Sequence, residues 1–189
     1  NSQPTAELAR NLGVAAEKIR IVHPGVTLPT APQSPAALQD FRQRHQLGNK
    51  RLLLSVGRLT TRKGLREFVQ QALPAIVQAA PDTLLVVVGD APADSLHASV
   101  QTRASIQAVA DAAGIGQHLR FLGVITDPQE LACAYESAAL HIFPVRQLPG
   151  DPEGFGMVAI EAAAHGLPTV AFATGGVVDA VAEGESGHL

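Results

Sequence analysis

The chain has 189 residues, 46% of them hydrophobic and 16% charged, with a formal net charge of −3. That is enough apolar chain for one good-sized core, which excludes a disordered protein, and the slightly acidic balance gives no reason to expect nucleic-acid binding. Tryptophan is absent and Cys133 is the single cysteine, so the core has to be aliphatic, no intrachain disulfide is available, and the composition fits a reducing, cytoplasmic setting.

No run approaches the roughly 18–20 apolar residues of a membrane span, and no signal peptide is visible at Asn1. Both ends read as cut in mid-pattern, which predicts further chain beyond them. A helix is expected over residues 4–13, with Leu8 and Leu12 one turn apart and Gly13 as its stop. Ile19 to Val22 reads as a short strand before a turn at His23, Pro24 and Gly25. Pro29, Pro32 and Pro35 lie among Thr, Ser and Gln and mark a linker, followed by a helix over 35–46. Residues 1–48 therefore read as a connector, and 49–189 as the domain proper.

The domain opens on a nearly continuous apolar strand, Arg51 to Val56, as expected where both faces are covered by helices. A helical face over 63–79 carries Leu65, Phe68, Val69, Ala72, Leu73, Ile76 and Val77, and Pro74 predicts a kink or break in it. A second buried strand runs from Thr83 to Val88, and a loop over 91–97 leads to a helix over 98–113. Further strands are expected at 119–122, 140–143 and 168–172, with helices over 128–137, where Cys133 reads as a small core residue, and 157–165. Alternation of this kind indicates an α/β fold: a Rossmann-like parallel sheet with helices on both faces and right-handed crossovers. Three strands run directly into glycine (Gly57, Gly89 and Gly123), at the carboxyl ends where such sheets bind ligands.

Two stretches can carry chemistry. Arg58, Arg62 and Lys63 occupy the loop between the first strand and the next helix. Arg can grip two oxygens and Lys acts as a point charge, so a loop of this kind beside a helix N-terminus suits a diphosphate. A solvated basic loop is the competing reading. Neither a Walker pattern nor a Gly-x-Gly-x-x-Gly fingerprint is present. The second stretch is a glycine loop, Gly154 and Gly156, bracketed by Glu153 and Glu161 with seven residues between them. Glu161 can accept hydrogen bonds from vicinal hydroxyls such as those of a ribose, and Glu153 can contact a sugar. The competing reading is a pair of surface glutamates, against which Ile160, Ala162 and Ala163 argue at position 161. His23, His118, His141 and His165 are scattered and read as packing or surface residues, and no cluster has metal-ligand spacing.

The ordered set Gly57, Arg58, Arg62, Lys63, Gly64; Phe121, Gly123, Val124; Glu153 to Glu161; Gly166, Pro168; Gly175, Gly176 and Asp179 resembles the donor-binding C-terminal half of a GT-B glycosyltransferase. The similarity covers roughly residues 17–189 and is to family 4, the retaining nucleotide-sugar enzymes. The block from Gly150 to Gly156, with Gly175 to Val181, is similar to a subgroup that includes bacterial phosphatidylinositol mannosyltransferases. The resemblance implies roles position by position. Arg58 and Lys63 would hold the diphosphate and stabilise the leaving nucleotide, with Gly57 allowing close approach. Glu161 would bind the ribose, and Glu153 the transferred sugar near the reacting carbon. Main-chain N–H groups of Phe155, Gly156 and Met157 would face sugar or phosphate, and Val124 and Ile125 would line the base. Arg62 matches a less fixed position and keeps an open role.

The same resemblance implies no cofactor and no obligatory metal, since the donor is a UDP- or GDP-linked sugar and cationic side chains serve its diphosphate. It implies a glycan or lipid-linked acceptor carried by an N-terminal half outside this chain, with peripheral contact at the inner membrane face open to that half. The chain alone is expected to bind donor without transferring sugar. A sugar-nucleotide epimerase, a phosphorylase and a non-catalytic nucleotide-binding module are the alternatives; a phosphorylase would need a pyridoxal lysine, and Lys63 is already committed to the diphosphate.

Overall fold

The computed structural model describes residues 1–92 and 100–189. Six strands form one parallel sheet: β1 (Arg51–Val56), β2 (Thr83–Val88), β3 (Leu119–Gly123), β4 (Leu140–Phe143), β5 (Thr169–Ala171) and β6 (Gly187–His188). Their order is β3-β2-β1-β4-β5-β6, so the direction of winding reverses between β1 and β4. In a doubly wound sheet that reversal opens a crevice at the strands' carboxyl ends.

The continuous apolar strands divide by alternation between two cores. Leu52, Leu54, Leu84 and Val86 face one side, where they meet Phe41, Leu47, Cys133, Tyr135 and Ala162. Leu53, Leu85, Val87 and Ile142 face the other, against Leu65, Val69, Leu73, Ile106 and Ala110. Each fully buried aliphatic side chain contributes about 1.5–3 kcal/mol relative to exposure. Helices α2 (Pro35–Arg44) and α6 (Pro128–Ser137) pack together on the first side. On the second lie α3 (Leu65–Gln71), α4 (Leu73–Ala79) and α5 (Arg103–Ala112).

Local signals set the helix ends. Ser34 caps α2 by accepting from the Ala37 N–H at 3.2 Å, with Pro35 at the first helical position. Asp127 and Pro128 open α6 in the same way. Pro74 falls in the first turn of α4, where its missing N–H costs nothing, and the expected break stands just before it, at Ala72. The helix expected over 98–113 starts later: Val100 forms an isolated bridge to Thr60, and Thr102 and Ser105 make a reciprocal cap. The loop expected over 91–97 and the start of that helix fall largely on residues outside those described.

Two further corrections apply. The strand expected at Ile19–Val22 is absent; a 3₁₀ turn at Ala16–Lys18 is followed by irregular chain, and no sheet neighbour is there to pair it. Two elements near the end were not anticipated, the one-turn helix α8 (Val177–Ala180) and β6, both too short for periodicity to show. The first helix, α1 (Gln3–Asn11), is capped by Ser2, and α7 (Met157–Ala164) follows the glycine loop.

Candidate functional site

The loop after β1 crosses the mouth of the β1–β4 crevice. It leaves the sheet at Gly57, forms a 3₁₀ turn at Thr61–Lys63 and enters α3 through Gly64 in the left-handed region, φ 68°. A Cβ on Gly64 would stand 2.0 Å from the carbonyl oxygen of Pro144, just past β4, so the two loops touch through main chain alone. The Arg146 N–H donates to the Arg62 carbonyl at 2.8 Å and fastens them.

The glycine loop reaches the same crevice from the other side. It is fixed from below by the next glycine turn: the Gly176 N–H donates to the Glu153 carbonyl at 2.8 Å. A Cβ on Gly176 would lie 2.1 Å from the Gly154 oxygen. From above, the Ser2 hydroxyl donates to the Gly154 carbonyl at 2.7 Å, with the Thr5 hydroxyl at 3.3 Å.

This scaffold brings Glu153 onto the basic loop. Its carboxylate accepts from Lys63 Nζ at 2.8 Å and from Arg62 Nη1, and all three side chains are largely buried. Arg62 Nε also lies 3.0 Å from Asp151 Oδ1, an ion-pair contact without hydrogen-bond alignment. Lys63 Nζ stands 4.8 Å from the centroid of the Phe143 ring. Burial lowers the Lys63 pKa from the ordinary lysine range, outweighing the attraction of Glu153. Beneath it, burial and the nearby Lys63 charge hold His141 down to about 3, so it is a neutral ring, with Nδ1 3.1 Å from the Thr169 hydroxyl.

Apart from Glu161, the principal residues singled out in the sequence fall in two clefts. One, of about 340 Å³, is lined by Gly57, Arg58, Val124, Ile125 and Leu131. The other, of about 420 Å³, is lined by Lys63, Glu153, Phe155, Gly156, Met157 and, from the N-terminal segment, His23. Arg58 is exposed and makes no ion pair among the described residues. Glu161 lines neither cleft: its Oε2 accepts from the Tyr135 hydroxyl at 2.9 Å.

Three participants were not assigned from the sequence. The sequence leaves the role of Arg62 open and assigns none to Asp151 or Tyr135. An Arg-Lys pair facing an Asp-x-Glu triplet is a signal for the first two; for Tyr135 the signal is that it is the chain's only tyrosine, set in an apolar helix. Among the described residues no group of His, Cys, Asp and Glu is arranged to hold a metal ion, and no helix is long and apolar enough to cross a membrane.

Comparison with known proteins agrees with this fold. The family model described as "Glycosyl transferases group 1" matches residues 38–189. The chain is 32% identical over 168 residues to the GDP-mannose-dependent alpha-(1-6)-phosphatidylinositol monomannoside mannosyltransferase of Mycolicibacterium smegmatis, covering 88% of this chain and 41% of that protein. It is 34% identical over 192 residues to D-inositol 3-phosphate glycosyltransferase 1 of Catenulispora acidiphila, covering 100% of this chain and 43% of that protein. It thus spans less than half the length of these curated relatives. Among solved structures, Anabaena Alr3699/HepE in complex with UDP superposes with a TM-score of 0.81 at 25% identity, over 100% of this chain and 48% of that one.

Proposed function

The chain belongs to the glycosyl transferases of group 1, and from that premise we propose that it is the donor-binding half of a retaining enzyme that transfers a sugar from a nucleoside diphosphate to a glycan or lipid-linked acceptor. The observation that carries the reading is the meeting of Lys63 and Glu153, 2.8 Å apart, at the reversal point of the sheet. A cation for the diphosphate and a carboxylate for the sugar hydroxyls adjoin where a donor's anomeric carbon joins the two.

Arg58 and Lys63 hold the diphosphate. As the anomeric carbon–oxygen bond breaks, the diphosphate leaves with the bonding pair, and these cations offset its growing charge. The acceptor oxygen attacks from the same face, and its proton passes to the departing diphosphate oxygen. Glu153 orients the sugar, the main-chain N–H groups of Phe155, Gly156 and Met157 face its oxygens, Val124 and Ile125 lie against the base, and Glu161 takes the ribose diol. Side-chain cations stand in place of a metal, and no separate cofactor is used. The base is uracil or guanine: one relative is named as GDP-mannose-dependent and one similar structure holds UDP. Residues 1–48 would belong to the tail of an acceptor-binding half and its connector, and an inositol-type acceptor is suggested by the relatives' names.

Calorimetry tests this with UDP and GDP against their sugar conjugates, in the wild type and in Glu153→Ala and Lys63→Ala. Lys63→Ala is expected to weaken all of them. Glu153→Ala is expected to abolish the difference between the nucleotide and its sugar conjugate, while freeing Lys63 for the diphosphate of both. If that difference survives, the sugar role is withdrawn and a plain nucleotide-binding module is the better reading.

A further inference from the structure

Tyr135 is 1% exposed and is the chain's only tyrosine, set in a largely aliphatic core whose other aromatic side chain is Phe41. A phenylalanine would fill the same volume without burying a hydroxyl, and a buried phenol needs a partner. Its partner is the Glu161 carboxylate, at 2.9 Å. The ring that aims this hydroxyl is held on two sides. His165 stacks on it at 5.4 Å and 8°, and His141 meets it edge-on at 6.4 Å and 73°. His165 is anchored in turn, with Nδ1 2.9 Å from Glu136, whose other oxygen accepts from the Gln33 N–H at 2.6 Å. One turn before Tyr135, the same helix presents Leu131 to the cleft of Gly57 and Arg58.

We propose that Tyr135 is a positioning residue for nucleotide recognition: its hydroxyl holds one oxygen of Glu161 so that the carboxylate meets the 2′ and 3′ hydroxyls of the donor's ribose. The inference rests on the ribose role given to Glu161 above. An ionised carboxylate has about four acceptor sites. One neutral O–H occupies a single site and fixes the orientation, leaving the rest for a diol. A cation in the same place would bind the carboxylate more strongly and compete with the ligand. Burial, then the charge of Glu161, raises the Tyr135 pKa above the ordinary phenol range, so the group remains a donor throughout the neutral range.

The test compares UDP and GDP with their 2′,3′-dideoxy counterparts by calorimetry, in the wild type, Tyr135→Phe and Glu161→Gln. Tyr135→Phe is expected to lower affinity for the ribonucleotides about five- to tenfold, the scale of one hydrogen bond, and to leave the dideoxynucleotides unchanged. A general packing defect would weaken both sets equally. If Glu161→Gln collapses the ribose preference and Tyr135→Phe does not, Tyr135 has no positioning role and the reading of Glu161 stands. If neither variant changes it, the ribose role of Glu161 fails and this inference falls with it. Should Tyr135→Phe not fold, 3-fluorotyrosine at this sole tyrosine gives one ¹⁹F signal. That signal is expected to shift with UDP or GDP and to shift less with the dideoxy forms; equal shifts overturn the proposal.

Discussion

Glu153 and Glu161 bracket one short stretch, yet they are held by opposite means. Glu153 is locked between two buried cations, Arg62 and Lys63, on a loop pressed against a second loop. Glu161 stands on a helix and is held by one neutral phenol. The carboxylate of Glu153 neutralises the cations beside it, and on the proposed reading a diphosphate would have to share Lys63 with it. A carboxylate held by a phenol keeps its charge and most of its lone pairs for the ligand. The first arrangement suits exchange of partners, the second a standing acceptor.

The largest effect that separates the two is on stability. Glu153→Ala leaves two buried cations without their common partner and is expected to cost about 3–5 kcal/mol, read as a shift in the urea midpoint. Glu161→Ala leaves only a phenol unsatisfied, about 1–3 kcal/mol. Equal losses would break the comparison. Next comes Lys63→Ala, which should weaken pyrophosphate and nucleoside diphosphate binding by about 1.5–3 kcal/mol, the worth of a charge-assisted hydrogen bond. Glu161→Ala should leave inorganic pyrophosphate untouched by the same titration.

A smaller change should follow from Gly176→Ala. Its φ of −70° is ordinary, so the whole effect is the Cβ driven against the Gly154 carbonyl, about 1–3 kcal/mol of overpacking. It is expected to lower the melting temperature and to disturb discrimination at Glu153 while sparing the ribose preference. The mildest test is pH. An anion favours the ammonium form of Lys63, so diphosphate affinity is complete below the pKa of Lys63 in the free protein and is lost as pH rises through it. Because burial depresses that pKa, the loss should begin at lower pH than for an ordinary lysine. Lys63→Arg, which stays charged, should flatten the profile.

How much of this was legible beforehand follows from the range of each interaction. The apolar strands at 51–56 and 83–88 and the glycines ending them announce themselves because burial on both faces leaves a continuous hydrophobic run. The Pro74 break is a local steric matter and is equally readable. The strand expected at Ile19–Val22 fails for the complementary reason: a strand exists only with a neighbour, and local composition cannot supply one. Lys63 and Glu153 stand out as chemically suited residues, but their direct pairing depends on Gly64 and Gly176 letting loops touch through main chain. The bond from Tyr135 to Glu161 joins α6 to α7, which share one core, and no spacing in the sequence encodes it.

The glycine loop has one further consequence, and it concerns time. Its backbone is held on both sides, by Gly176 at 2.8 Å and by Ser2 at 2.7 Å, and a Cβ on Gly175 would come within 2.6 Å of the Glu153 carbonyl. The main chain therefore has little room to travel, which on the proposed reading leaves any adjustment to a donor to the side chains. An exchange of Lys63 from carboxylate to diphosphate then needs only side-chain torsions, which turn over in nanoseconds or faster when exposed and more slowly when packed, rather than the micro- to millisecond closure of a lid. If the proposed reading holds, capture of a donor at this end of the sheet is limited by its arrival and by side-chain repacking, not by the motion of the loop that receives it.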